Sequence, residues 1–90
     1  MTEPPLSLVD WHDAHADHGW VDRGDIDTEP RLVRSVGWVL ENVKRGHLTL
    51  AQSWDPDTDS WDALLHIPIC MVQTVASLRQ TPLLPVGPQV

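Results

Sequence analysis

Apolar positions recur with a period of two in three stretches of this chain, the spacing that puts alternate side chains on one face of a β-strand. The clearest is "RLVRSVGWVL", where Leu32, Val36, Trp38 and Leu40 fall on one face and Val33, Ser35, Gly37 and Val39 on the other. "HLTLAQSW" alternates next and sets Leu48 with Leu50, and "WDALLHIP" aligns Trp61, Ala63, Leu65 and Ile67. Upstream, "LSLVDWHD" is rich in β-branched and aromatic residues and predicts a strand over Leu8–Asp13. Between these runs lie turn formers: a long polar loop from Ala14 to Pro30, "ENVKRG" ending in Gly46, and "DPDTDS". Trp20 and Val21 are expected to pin the long loop to the core. Gly37, inside a strand pattern, predicts a bulge or a close backbone approach.

After Pro68, "ICMVQTVASL" fits two patterns. A short 3₁₀ turn followed by a strand is preferred; the alternative is a helix near 68–79 with Pro68 at its first position. The expected fold is mainly β: a small five-stranded SH3-like or Sm-like barrel, or a strongly bent antiparallel sheet, with α+β as the alternative. A single domain is placed at residues 8–79, between a flexible N-terminal tail (1–7) and a flexible proline-rich C-terminal tail (80–90).

A few quantities refine this picture. At 90 residues the chain has a small core and a reason to oligomerise. Its aromatic set is five Trp with no Phe or Tyr, so tryptophan must supply most of the large core pieces, each with an N–H to satisfy. Some of them are expected half-buried at a rim. The charge is uneven: residues 1–30 hold eight acids against Arg23 alone, while the remaining sixty hold five acids and five bases. That argues against general nucleic-acid binding, which rests on Lys and Arg meeting phosphates. Cys70 is the sole cysteine, which excludes an internal disulfide. The first residues lack a basic region followed by an apolar run, so a cytoplasmic protein without a membrane span is expected.

The succession Trp11-x-Asp13-Ala14, Gly19-Trp20, Ser35-Val36-Gly37-Trp38, Leu50-Ala51-Gln52-Ser53 and Ile67-Pro68 resembles small proteins of bacteriophages, prophages and actinobacteria. The resemblance covers roughly residues 8–79 and implies a mobile-element origin and a compact β domain. That group has no assigned activity, so no catalytic residue carries over. In element order alone the chain is similar to SH3-like and Sm-like barrels, without the basic RNA-binding loop of Sm rings.

The candidate sites are of three kinds. Trp54 and Trp61 flank "DPDTDS" and, across a tight hairpin, would face one another as a packing pair or as a contact surface. Asp22, Asp25 and Asp27 form an acidic face that either docks a basic partner or simply solvates the loop. Arg34, Lys44 and Arg45 would hold a small anion or nucleotide, unless they pair with nearby acids. In "DWHDAHADHGW", His12, His15 and His18 with neighbouring aspartates have the donor chemistry of a transition-metal site, but a spacing of three shares a face only on a helix. Cys70 and His66 lack an orienting third group, no phosphate-loop motif is present, and no cofactor is called for. The resulting expectation is a non-catalytic, protein-binding or accessory module that forms a homo-oligomer. Anion capture and metal binding are the alternatives.

Overall fold

The computed structural model describes residues 3–14 and 19–84. Five antiparallel strands form one sheet: β1 (Leu6–Asp13), β2 (Arg31–Leu40), β3 (His47–Asp55), β4 (Ser60–Pro68) and β5 (Val72–Ser77), in the order β4-β3-β2-β1-β5. The sheet is strongly bent and open, so of the two forms expected the closed barrel is not the one adopted. The segment after Pro68 is the preferred turn and strand, a 3₁₀ turn at Ile69–Met71 leading into β5, and not a helix. Among the described residues no helix is long and apolar enough to cross a membrane. β1 starts at Leu6, two residues before the expected boundary, and Ser7 is buried within it.

Alternation fixes which face goes inward. β1 turns Ser7, Val9 and Trp11 to the core, and their β2 partners Gly37, Ser35 and Val33 follow. Leu50 and Ile67 complete a core onto which Val39, Leu48, Leu65, Met71 and Val72 pack. Trp11 satisfies its indole by donating to Ser35 Oγ at 3.1 Å. Buried Thr49, on the opposite side of β3, shares a hydrogen bond of 2.8 Å with His66 Nδ1. Among the described residues no buried side-chain polar atom lacks a partner.

β2 and β3 approach closely at Gly37. A Cβ there would lie 2.5 Å from the carbonyl oxygen of Ala51, so β3 crosses β2 where only glycine fits. β2 pairs with β1 over Arg31–Trp38 and with β3 only at Trp38–Leu40.

Two expectations are corrected. Trp20 does not pin the long loop: it is fully exposed and Val21 is 44% exposed, because residues 19–30 run over the surface around a single 3₁₀ turn, Arg23–Asp25. Nor do tryptophans fill the core, since Trp11 alone is buried and aliphatic Val9, Leu50 and Ile67 occupy the rest.

Candidate functional site

The β3–β4 hairpin builds the site. Its strands pair Ala51 with Leu64, then Ser53 with Asp62, Trp54 with Trp61 and Asp55 with Ser60. Gln52 and Ala63, between the first two pairs, make no ladder pair, and Ala63 takes φ 54°. A left-handed residue turns the pleat, so the alignment of Trp61 and Ala63 with Leu65 and Ile67 expected from alternation ends there. Beyond the break Trp54 and Trp61 stack with ring centroids 5.1 Å apart and planes 7° from parallel. Trp38, which alternation assigns to the face opposite the core, meets both edge-on at 6.3 and 6.1 Å. Three indoles from three strands thus form one half-exposed cluster.

The turn fits this purpose locally. Asp55 Oδ1 accepts the Asp57 N–H at 3.0 Å, and Asp59 takes the left-handed conformation at φ 53° that a short polar side chain tolerates. Trp54 Nε1 donates to Asp59 Oδ1 at 3.1 Å and Trp38 Nε1 to Glu3 Oε1 at 3.1 Å. Both indole N–H groups are therefore satisfied at the rim. The hairpin adds a shallow pocket of about 250 Å³ lined by Ser53, Trp54, Asp55, Ser60, Trp61 and Asp62. No Lys or Arg occurs between Arg45 and Arg79, so nothing along that stretch offsets Asp55, Asp57, Asp59 and Asp62.

An apolar band extends the cluster across the outer face. Register places Leu6, Trp38, Ala51 and Leu64 in one row, which Leu78 joins through its N–H bond to the Leu6 carbonyl. Ala76, Leu8 and Val36 form the next row. The band stops at Asp10, which accepts from Arg34 Nε at 2.9 Å and from Thr74 Oγ1 at 3.3 Å. Donation by Arg34 is the main cause that holds the Asp10 carboxyl below its usual value; desolvation opposes it, and the positive charge of Arg34 and donation by Thr74 add to the lowering, while Asp10 raises Arg34 in return.

The other candidate residues are placed as follows. Asp22, Asp25 and Asp27 are exposed on the long loop, where the Asp22 backbone carbonyl accepts the Asp25 N–H and the Asp27 side chain accepts the Glu29 N–H. Arg34 is committed to Asp10 in the middle of β2, whereas Lys44 and Arg45 sit in the β2–β3 turn beyond Leu40. Six strand residues at about 3.3 Å each separate Arg34 from the end of β2, so the trio is not brought together. Lys44 and Arg45 line a pocket of about 450 Å³ with Asn42, Gly46, His47 and Ile69. His12 lies at the end of β1, and His15 and His18 fall outside the described residues. No group of three or more metal-ligating side chains occurs among the described residues. Cys70 is exposed, and His66 Nδ1 is engaged by Thr49.

The hairpin pair was foreseeable from the turn between two tryptophans; Trp38 was not, because alternation puts it on the other face. No family model, curated protein or solved structure matches this chain.

Proposed function

We propose that the protein is a non-catalytic interaction module, an accessory factor of phage or prophage type by its resemblance, which grips a protein partner with the Trp38–Trp54–Trp61 surface. One observation carries the reading: Trp54 and Trp61 stack half-exposed at the tip of a hairpin held by a left-handed alanine. Core packing does not call for that arrangement, since the core closes on Val9, Trp11, Leu50 and Ile67. Tryptophan at the centre of an apolar patch is the side chain most often found to dominate binding energy, and a patch with a polar border is the usual form of a docking site. Asp22, Asp25 and Asp27 would speed encounter with a basic partner through long-range attraction.

The test is capture of the partner by the untagged protein, compared with folded Trp54→Ala/Trp61→Ala and Asp22→Asn/Asp25→Asn/Asp27→Asn variants. Loss of the indoles should weaken binding by about 30-fold or more, the hot-spot range. Loss of the carboxylates should slow association and reduce its dependence on salt, with little change in dissociation. Undiminished capture by the folded double-alanine variant overturns the proposal.

A further inference from the structure

The open sheet leaves two edges, and they differ. β4, on one side, is guarded by Asp62, by the left-handed Ala63 and by Pro68, the devices that discourage a second strand from adding. β5, on the other, carries no charge and no proline over Val72–Ser77, and its one irregularity, a register shift opposite Asp10 and Trp11, lies at its first residues. From Thr74 to Leu78 the edge is regular, and Thr74 to Ser77 are exposed.

Hydrogen-bond phase says which groups are free. The Leu78 N–H donates to Leu6 O at 2.8 Å, so the even-numbered residues of β1 bond to β5 through Leu78, Ala76 and Thr74. The Val39 N–H donates to Pro5 O at 3.0 Å, which assigns the odd-numbered residues of β1 to β2 and agrees with that phase. Val75 and Ser77 therefore turn both N–H and C=O away from β1, toward solvent.

We infer that β5 pairs with β5 of a second copy, antiparallel about a two-fold axis through Ala76, to form a continuous sheet across a homodimer. In this register Val75 of each copy lies opposite Ser77 of the other, and each of these residues gives and receives a backbone hydrogen bond. Ala76 lies opposite its own mate in a non-hydrogen-bonded pair, where the backbones approach to about 4.5 Å and a small side chain fits. The apolar row Val36–Leu8–Ala76 then runs on into the same row of the partner.

Charge selects this edge and this occupant. In the order β4-β3-β2-β1-β5, pairing at β5 leaves the acidic β3–β4 hairpins at the two far ends of the joined sheet, whereas pairing at β4 would place the two acidic hairpins side by side. Any antiparallel edge is complementary to itself about a two-fold axis, and a chain with so small a core gains from the shared sheet.

The experiment is native mass spectrometry and sedimentation of the full chain over a range of concentrations, together with cysteine cross-linking in a Cys70→Ser background. A concentration-dependent dimer is expected, and Ala76→Lys, which sets like charges together on an exposed position, should weaken it at least 10-fold with the circular dichroism unchanged. Ala76→Cys should give a disulfide-linked dimer under mild oxidation, since that pair falls within disulfide reach, while Val75→Cys should do so at least 10-fold more slowly. In hydrogen exchange the Val75 and Ser77 amides should be protected in the dimer and open in the Ala76→Lys variant. A monomer at every soluble concentration, a dimer indifferent to Ala76→Lys, or equal cross-linking at 75 and 76 overturns the inference. None of these substitutions replaces Trp38, Trp54 or Trp61, and Ala76 lies on β5, at the sheet edge opposite the hairpin, so failure here leaves the proposed tryptophan site standing.

Discussion

Gly37 and Asp10 show how single residues shape this sheet. Gly37→Ala would drive a methyl group into the Ala51 carbonyl, a backbone atom that cannot move without displacing β3. A loss of about 1–3 kcal/mol is expected, measured as a lower midpoint in urea. Asp10 acts through charge. Arg34 holds its carboxyl below the ordinary 3.8, so the proton is bound more weakly in the folded chain than in the unfolded one. That contribution is complete above the unfolded value and disappears as pH falls through the folded value. The melting temperatures of the wild type and Asp10→Asn should differ by a constant amount from neutral pH to about pH 5, then converge in stronger acid. A difference that grows as pH falls would contradict this account.

At the scale of elements the β3–β4 hairpin matters most, because one residue decides where its tip faces. Ala63 at φ 54° bears a cost of about 1–2 kcal/mol that glycine would not. Ala63→Gly is therefore expected to be neutral or stabilising by up to about 1 kcal/mol, the relief being offset in part by greater freedom of the unfolded chain. Ala63→Val, with a branched Cβ that resists the left-handed region, should destabilise by more than 1–2 kcal/mol or restore regular alternation. The exciton couplet that stacked indoles give in circular dichroism reads this directly: it should persist in the glycine variant and fall in the valine variant. An unchanged couplet in Ala63→Val would separate the stacking from the bend.

For the molecule as a whole, the thinness of the core sets stability. Leu50 is completely buried and joins the layer of Val9 and Trp11 to that of Ile67. Leu50→Ala is expected to cost about 2–5 kcal/mol, read as a large fall in melting temperature. If β5 joins two copies, the melting temperature should rise with protein concentration, and Ala76→Lys should remove that rise.

Much of the fold was legible in local pattern. Alternation in "RLVRSVGWVL", "HLTLAQSW" and "WDALLHIP", with turn formers between them, specified three of the strands, because a pleated strand exposes its period in the sequence. The pairing of Trp54 with Trp61 followed from a short turn between them. Other features depended on contacts between distant segments. Trp20 is as apolar as Trp11, but only Trp11 lies on a strand whose partner offers Ser35 for its N–H, while Trp20 follows a surface loop. Trp38 meets the hairpin pair because Ala63 leaves the β region, a backbone choice that no alternation of apolar residues encodes. Arg34 is taken up by Asp10, twenty-four residues away in sequence, rather than by Lys44 and Arg45 nearby, since register and not proximity along the chain decides which charges meet. By itself, then, the sequence determined the strands, the turns and one aromatic pair, each governed by neighbours a few residues apart. The close approach of β3 at Gly37, the third tryptophan and the free β5 edge were decided by tertiary structure, where register and backbone conformation bring remote residues together.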